Sequence, residues 1–252
     1  MKTVTVASTA IASLVALVLS SYVDFTGNGA VFVGAVASLM VAIFAFSWPK
    51  ISGIPSGLIM GFVTLVAGCG AIIASLNAPP REAMLYYVVF VVLGLALTFL
   101  VQLLRGTGAS QRLYSVCAGA AASLIAASTS GWVAVDRLTP DDVNSPLTLL
   151  VAMGITAAIL VGCIRWPDRI VAPLAIVISA LVSGMAAIIF TTVTPWQAMF
   201  FAGIAAAITA SCRAVLVAEG GPKSRLAAVA YGLTPIMLSG ALVYFAERLV
   251  FG

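Results

Sequence analysis

The sequence predicts an all-α, polytopic integral membrane protein of about nine transmembrane helices. Three observations carry that reading. Of 252 residues, 62% are hydrophobic and only 8% are charged, whereas roughly a quarter of an ordinary soluble domain is charged. The apolar residues fall into nine runs, each close to the ~20 residues an α-helix needs to cross a bilayer. Short breaks of charged, Pro/Gly or Asn/Asp residues separate the runs, and no stretch between them is long enough for a soluble domain.

Taken in order, the first helix is expected from about Thr3 to Val23, the second from Gly29 to Ser47, the third from Ile54 to Leu76 and the fourth from Ala83 to Leu104. The fifth follows from Leu113 to Val135, the sixth from Leu147 to Ile164 and the seventh from Ile170 to Phe190. The eighth runs from Trp196 to Val217 and the ninth from Leu226 to Leu249. A lysine at position 2 before an apolar run also fits a secretory signal peptide. No clear small-x-small cleavage site follows it, so a retained helix is expected.

Basic residues in short loops are held on the cytoplasmic side. The N-terminus and the breaks after the second, fourth, sixth and eighth helices carry Lys2, Lys50, Arg105, Arg112, Arg165, Arg169, Arg213, Lys223 and Arg225. The opposite breaks carry only Arg81, Arg137 and Arg248, so the N-terminus is expected inside and the C-terminus outside. Asp24, Glu82, Asp136, Asp141, Asp142 and Glu247 fall on the outer side. Trp48 and Trp166 are expected at inner helix ends and Trp132 and Trp196 at outer ends, forming interfacial belts.

An internal repeat is the most specific signal. Trp48-Pro49 with Pro55 matches Trp166-Pro167 with Pro173 as W-P-x5-P, at an offset of 118. Gly68-Cys69-Gly70-Ala71-Ile72-Ile73 then matches Gly184-Met185-Ala186-Ala187-Ile188-Ile189 at an offset of 116. Pro80, Ala83 and Met84 match Pro195, Ala198 and Met199 at 115, and Asp136-Arg137-Leu138 matches Glu247-Arg248-Leu249 at 111. Val6 to Val23 laid on Val116 to Val133 gives eight identities in 18 positions. The chain therefore reads as one membrane domain over 1–252, with repeat units of about 1–110 and 111–222 and a final helix over about 223–252. Four helices per unit keep both copies in the same orientation, which makes the repeat parallel (4+4+1). In each W-P-x5-P turn, the tryptophan is expected to fix helix depth, the first proline to stop one helix and the second to open the next.

Gly53, Gly57 and Gly61 recur at spacing four on the third helix, and Ala175, Ser179 and Ser183 do so on the seventh. Small residues at that spacing let helix backbones approach closely in lipid, so these two faces are expected to meet as the interface between repeats. Charged groups within a membrane are costly and point to function. Arg213 lies within the eighth helix, where it can snorkel to the headgroups or contact substrate. Asp136 with Arg137, and Glu247 with Arg248, close the outer ends of the fifth and ninth helices at equivalent positions, either as interface anchors or as a vestibule. Pro235 interrupts the ninth helix beside Thr234, which marks both as candidates for lining a pathway.

Several functions are excluded or disfavoured. The chain has no histidine, and its four cysteines stand alone in apolar stretches, so zinc and haem sites lose their usual ligands and no cofactor or metal is expected. No G-x-S-x-G or other catalytic motif occurs, and no enzymatic activity is expected. The net charge of +4 is dispersed without a basic cluster, which disfavours nucleic acid. Two readings remain. One is a cell-membrane transporter or exporter of a small or apolar solute, without an evident ion-coupling carboxylate. The other is a non-catalytic membrane subunit, a scaffold or channel-forming component, of a larger envelope or secretion complex. Membrane lipid is the expected partner in both, with a homo-oligomer or partner membrane subunits as further candidates.

Overall fold

Each apolar run forms a helix because a segment without water must bond its own backbone polar groups. The computed structural model describes residues 2–22, 29–54, 57–105, 111–138, 146–164, 166–191 and 193–251. Among these, nine helices span the fold: α1 (Lys2–Tyr22), α2 (Gly29–Ser47), α3 (Gly57–Asn77), α4 (Leu85–Leu104), α5 (Arg112–Leu138), α6 (Pro146–Gly162), α7 (Asp168–Phe190), α8 (Pro195–Ala218) and α9 (Arg225–Phe251). Eight are long and apolar enough to cross a bilayer, and the chain is an integral multi-pass membrane protein. At 17 residues α6 is shorter, about 26 Å at 1.5 Å per residue. That is less than the ~30 Å thickness of a bilayer's hydrocarbon core.

Contacts between helix ends establish two sides. The start of α1 meets the start of α9, where the Val6 carbonyl lies 2.6 Å from the place a Cβ on Gly232 would occupy. The end of α2 meets the start of α5 through the Trp48 indole and the Ala118 carbonyl, 3.0 Å apart. The ends of α6 and α8 meet the start of α7 at Arg213. These ends form the N-side. The far side carries the ends of α3 and α5, joined by Arg137, which donates to the Ser75 and Ala78 carbonyls.

Burial is uneven. The most apolar stretches of α5 and α9 are each 67% buried, against 17% for α4. Helix α9 lies between α1 and α5, and glycine makes both approaches possible. A Cβ on Gly131 would stand 2.2 Å from the carbonyl carbon of Gly240, inside any real contact distance. Trp132 packs at this crossing and donates its indole N–H to the Ile236 carbonyl, 2.9 Å away. At 3% exposure Trp132 is a core residue and not an outer belt anchor, whereas Trp166 and Trp196 are exposed. In lipid, a buried indole is held by such a carbonyl more firmly than by apolar contact alone.

Helix α5 breaks at Thr129, between Arg112–Ser128 and Ser130–Leu138. Ser128, Thr129 and Ser130 donate their hydroxyls to the Leu124, Ile125 and Ala127 carbonyls, so three consecutive side chains compete for the main-chain acceptors of one turn. Helix α9 runs through Pro235 without a break.

The W-P turns differ in the structure. Trp48 leads into a short helix, Pro49–Ser52, capped by Gly53 in the left-handed conformation at φ 62°. This is a backbone state that suits glycine. Gly53 therefore precedes α3 and does not belong to its packing face. Pro167 caps the start of α7, and Pro173 lies inside that helix, beyond its first turn. Pro55 lies outside the described residues, as do Asp24, Asp141, Asp142 and Arg165.

The small-residue faces of α3 and α7 do pack closely, but not on each other. Gly57 faces Pro49, and Gly61 faces the Ala45 carbonyl and the Phe46 ring. Ser179 donates to Ala202 of α8 and Ser183 to Leu150 of α6, while Ala175 is buried in the small cluster shared by α6, α7 and α8. Helix α3 packs on α2, α4 and α5, and α7 packs on α6 and α8. The expected α3–α7 interface is replaced by two local seams, because hydroxyls with a neighbouring carbonyl in reach are satisfied within their own group.

Candidate functional site

Small side chains at the N-side leave a cavity of about 300 Å³ between α6–α8 and the pair α1 and α9. That volume is at the lower end of small-molecule sites. Helix α1 contributes Val4, Val6, Ala7 and Ala10, and α9 contributes Tyr231, Gly232 and Pro235. The opposite wall is built by the end of α6 (Ala158, Ile159, Gly162), the start of α7 (Val171, Ala172, Ala175) and the end of α8 (Thr209, Ala210, Cys212, Arg213, Leu216, Val217), with Cys163 and Ile164 just beyond α6. Alanine and glycine at so many of these positions open the space, since helices held apart by their ends cannot close over missing side-chain volume.

The polar groups in this wall are already engaged. Thr209 donates its hydroxyl to Ala205 at 3.0 Å, and Tyr231 donates to the Glu219 carboxylate. Arg213 donates Nε to Gly162 at 2.8 Å and one Nη to Ile164 at 3.3 Å, and pairs through the other Nη with Asp168. It therefore neutralises the carbonyl end of α6 and joins it to the start of α7, the geometry favoured for a cation at a helix C-terminus. The remaining wall is alkyl and thiol surface, which favours an uncharged, largely apolar occupant, because an ion there would lose its hydration without gaining a partner.

Of the residues singled out in the sequence, the cavity brings together Arg213, Pro235 and Ala175. Thr234 is buried and donates to Ala230 on its own helix. Asp136, Arg137, Glu247 and Arg248 lie towards the far-side ends of α5 and α9, away from this wall. Glu247 is 2% exposed, Asp136 and Arg137 are half-buried and Arg248 is exposed. Arg137 serves α3 as Arg213 serves α6, by capping carbonyls at a helix end. The contribution of α1 to the wall and those of Ala158, Ala172 and Ala210 were missed in the sequence, and lone alanines in an alanine-rich chain give no signal that could have found them.

No protein-family model matches the chain, and no curated protein or solved structure matches it significantly.

Proposed function

We propose that the protein is a multi-pass membrane transporter or exporter of a small, uncharged and largely apolar solute, which occupies the N-side cavity. The observation that carries this reading is the cavity itself: it lies among the N-side helix ends, and the farthest residue of α9 that lines it is Pro235. Beyond that depth Ile236 and Met237 are buried, and the Gly131–Gly240 crossing leaves no space. A cavity bordered by the N-side helix ends and followed by packed helix towards the far side fits one state of an alternating-access cycle. The basic-residue asymmetry favours a cytoplasmic N-side. The collinear matches, with α1, α5 and α9 as neighbouring equivalents, favour the parallel 4+4+1 repeat. With its interior carboxylates few and its cavity arginine paired, the movement is uncoupled or driven by a partner.

The test is a panel of charged and uncharged small solutes, scored by thermal stabilisation of the purified protein and then by flux in proteoliposomes. Stabilisation by an uncharged member, lost in Ala172→Leu/Ala210→Leu, is expected. Stoichiometric foreign subunits co-purifying in mild detergent, with no solute effect, would favour the assembly-subunit reading instead.

A further inference from the structure

Away from the cavity, α4 and α5 pack antiparallel along a ladder of small and polar residues. A Cβ on Gly94 would stand 2.5 Å from Ser123 Oγ, and one on Gly119 would stand 2.6 Å from Thr98 Cγ2. Each step moves four residues forward on α4 and four back on α5. Continued in that register, the ladder pairs position 102 with 115 towards the N-side end of both helices, one step short of Arg105 and Arg112.

This end of the ladder has donors in excess of acceptors. Gln102 is 4% exposed and Ser115 fully buried. Gln102 Oε1 accepts from Arg105 at 2.8 Å, which fixes the amide orientation and leaves Nε2 as a donor. Among the described residues, that Nε2, the Ser115 hydroxyl and Arg112 Nε are all buried without a hydrogen-bond partner. No side chain caps the start of α5, so its first-turn N–H groups add positive potential to the same place. No carboxylate balances it. The sequence from Ala83 to Val135 contains no Asp or Glu, and of the two acidic residues near the N-side, Asp168 is taken by Arg213 and Glu219 by Tyr231.

Buried donors left unpaired cost free energy, and buried polar groups in folded proteins are nearly always satisfied. We propose that Gln102, Arg105, Arg112 and Ser115 form a binding site for a phosphate-type oxyanion at the N-side membrane surface. An oxyanion supplies several acceptors and matches two guanidinium groups. The depth, at the ends of two membrane helices, fits the phosphate of an anionic phospholipid; a soluble phosphate has the same chemistry.

Two arms separate these sources. The full chain is placed in nanodiscs of phosphatidylcholine doped with phosphatidylglycerol, and retained lipids are counted by native mass spectrometry after extraction. In parallel, delipidated protein in detergent is titrated with inorganic phosphate, with chloride at matched ionic strength, and its thermal stability followed. Selective retention of phosphatidylglycerol identifies a lipid headgroup, and stabilisation by phosphate alone identifies the soluble anion. In either arm Arg105→Gln/Arg112→Gln is expected to weaken binding about tenfold, and Ser115→Ala, which preserves packing, about threefold. Lys50→Gln/Arg225→Gln, on the same side and exposed, is expected to change neither. Absence of both signals in the wild type overturns the proposal, as does an equal loss in the Lys50/Arg225 variant, which would mean a diffuse basic surface.

Discussion

Helices α2, α3 and α4 all pack on α5, whereas of α6, α7 and α8 only α8 packs along α9, with α6 touching it lightly and α7 standing off. In the first group, Gly68 lets α3 reach α5, and a Cβ there would lie 2.9 Å from Ala126 and 2.6 Å from Val41. In the second, Gly184, the sequence match of Gly68, faces Met199 of α8, and the space between α7 and α9 is the cavity. Matched small residues thus make close contact with the central helix in one group and with a helix of their own group in the other. A small residue permits close approach but does not compel it; what decides is where the neighbouring helices are tied. Ser179 and Ser183 bond α7 to α8 and α6, and the Arg213 clamp holds the same three helices at the N-side.

The largest effect that could break this contrast is expected at the tightest crossing. Gly131→Val places atoms inside the backbone of α9, which cannot move as a flexible side chain would, and no folded protein is expected on size exclusion in detergent. By contrast, Gly203→Ala meets only Ile176, at 3.9 Å, and should keep the wild-type melting temperature. Next is Gly68→Leu, expected to destabilise the packed group by about 1–3 kcal/mol in thermal or denaturant unfolding. Ala172→Leu, on the half-buried cavity wall, is expected to leave stability unchanged or slightly raised while abolishing solute effects. Similar losses for Gly68→Leu and Ala172→Leu would mean that the two groups are equally packed.

Smaller effects sharpen the comparison. Trp132→Phe keeps the ring and removes the bond to Ile236, at an expected cost of about 1 kcal/mol. Arg213→Gln breaks a pair whose side chains are 22% and 32% exposed, so solvent screening limits the loss to below about 1 kcal/mol. Its clearer signature is increased protease or thiol access at the loop joining α6 and α7.

Most of the fold was legible in the sequence because a membrane helix is written as a run of sufficient length. The expected span from Gly29 to Ser47 coincides with α2, and most other ends differ by one to three residues. Failures arose where tertiary contacts decide. Gly53 obeys the spacing-four pattern but sits in a left-handed turn. Trp132 has the composition of a belt residue yet lies in the core, because α9 offers it a carbonyl. The break at Thr129 was written in Ser128-Thr129-Ser130-Gly131, three hydroxyls before a glycine, but hydropathy alone ranks that segment as continuous helix. For the candidate site, Pro235 and Arg213 were visible as an interruption and a charge in apolar runs, whereas the void they border is made of missing volume.

Whether the cavity is reached from the N-side alone is tested most directly by cysteine accessibility in a background lacking Cys69, Cys117, Cys163 and Cys212. Gly221→Cys reports the N-side and Asn77→Cys the far side, and a small impermeant thiol reagent is applied to each face of sealed vesicles. Ala172→Cys is expected to react only from the face that labels Gly221→Cys, and Ala126→Cys, in the packed seam, from neither. Labelling of Ala172→Cys from the face that reaches Asn77→Cys, or its inertness from both, would contradict the account.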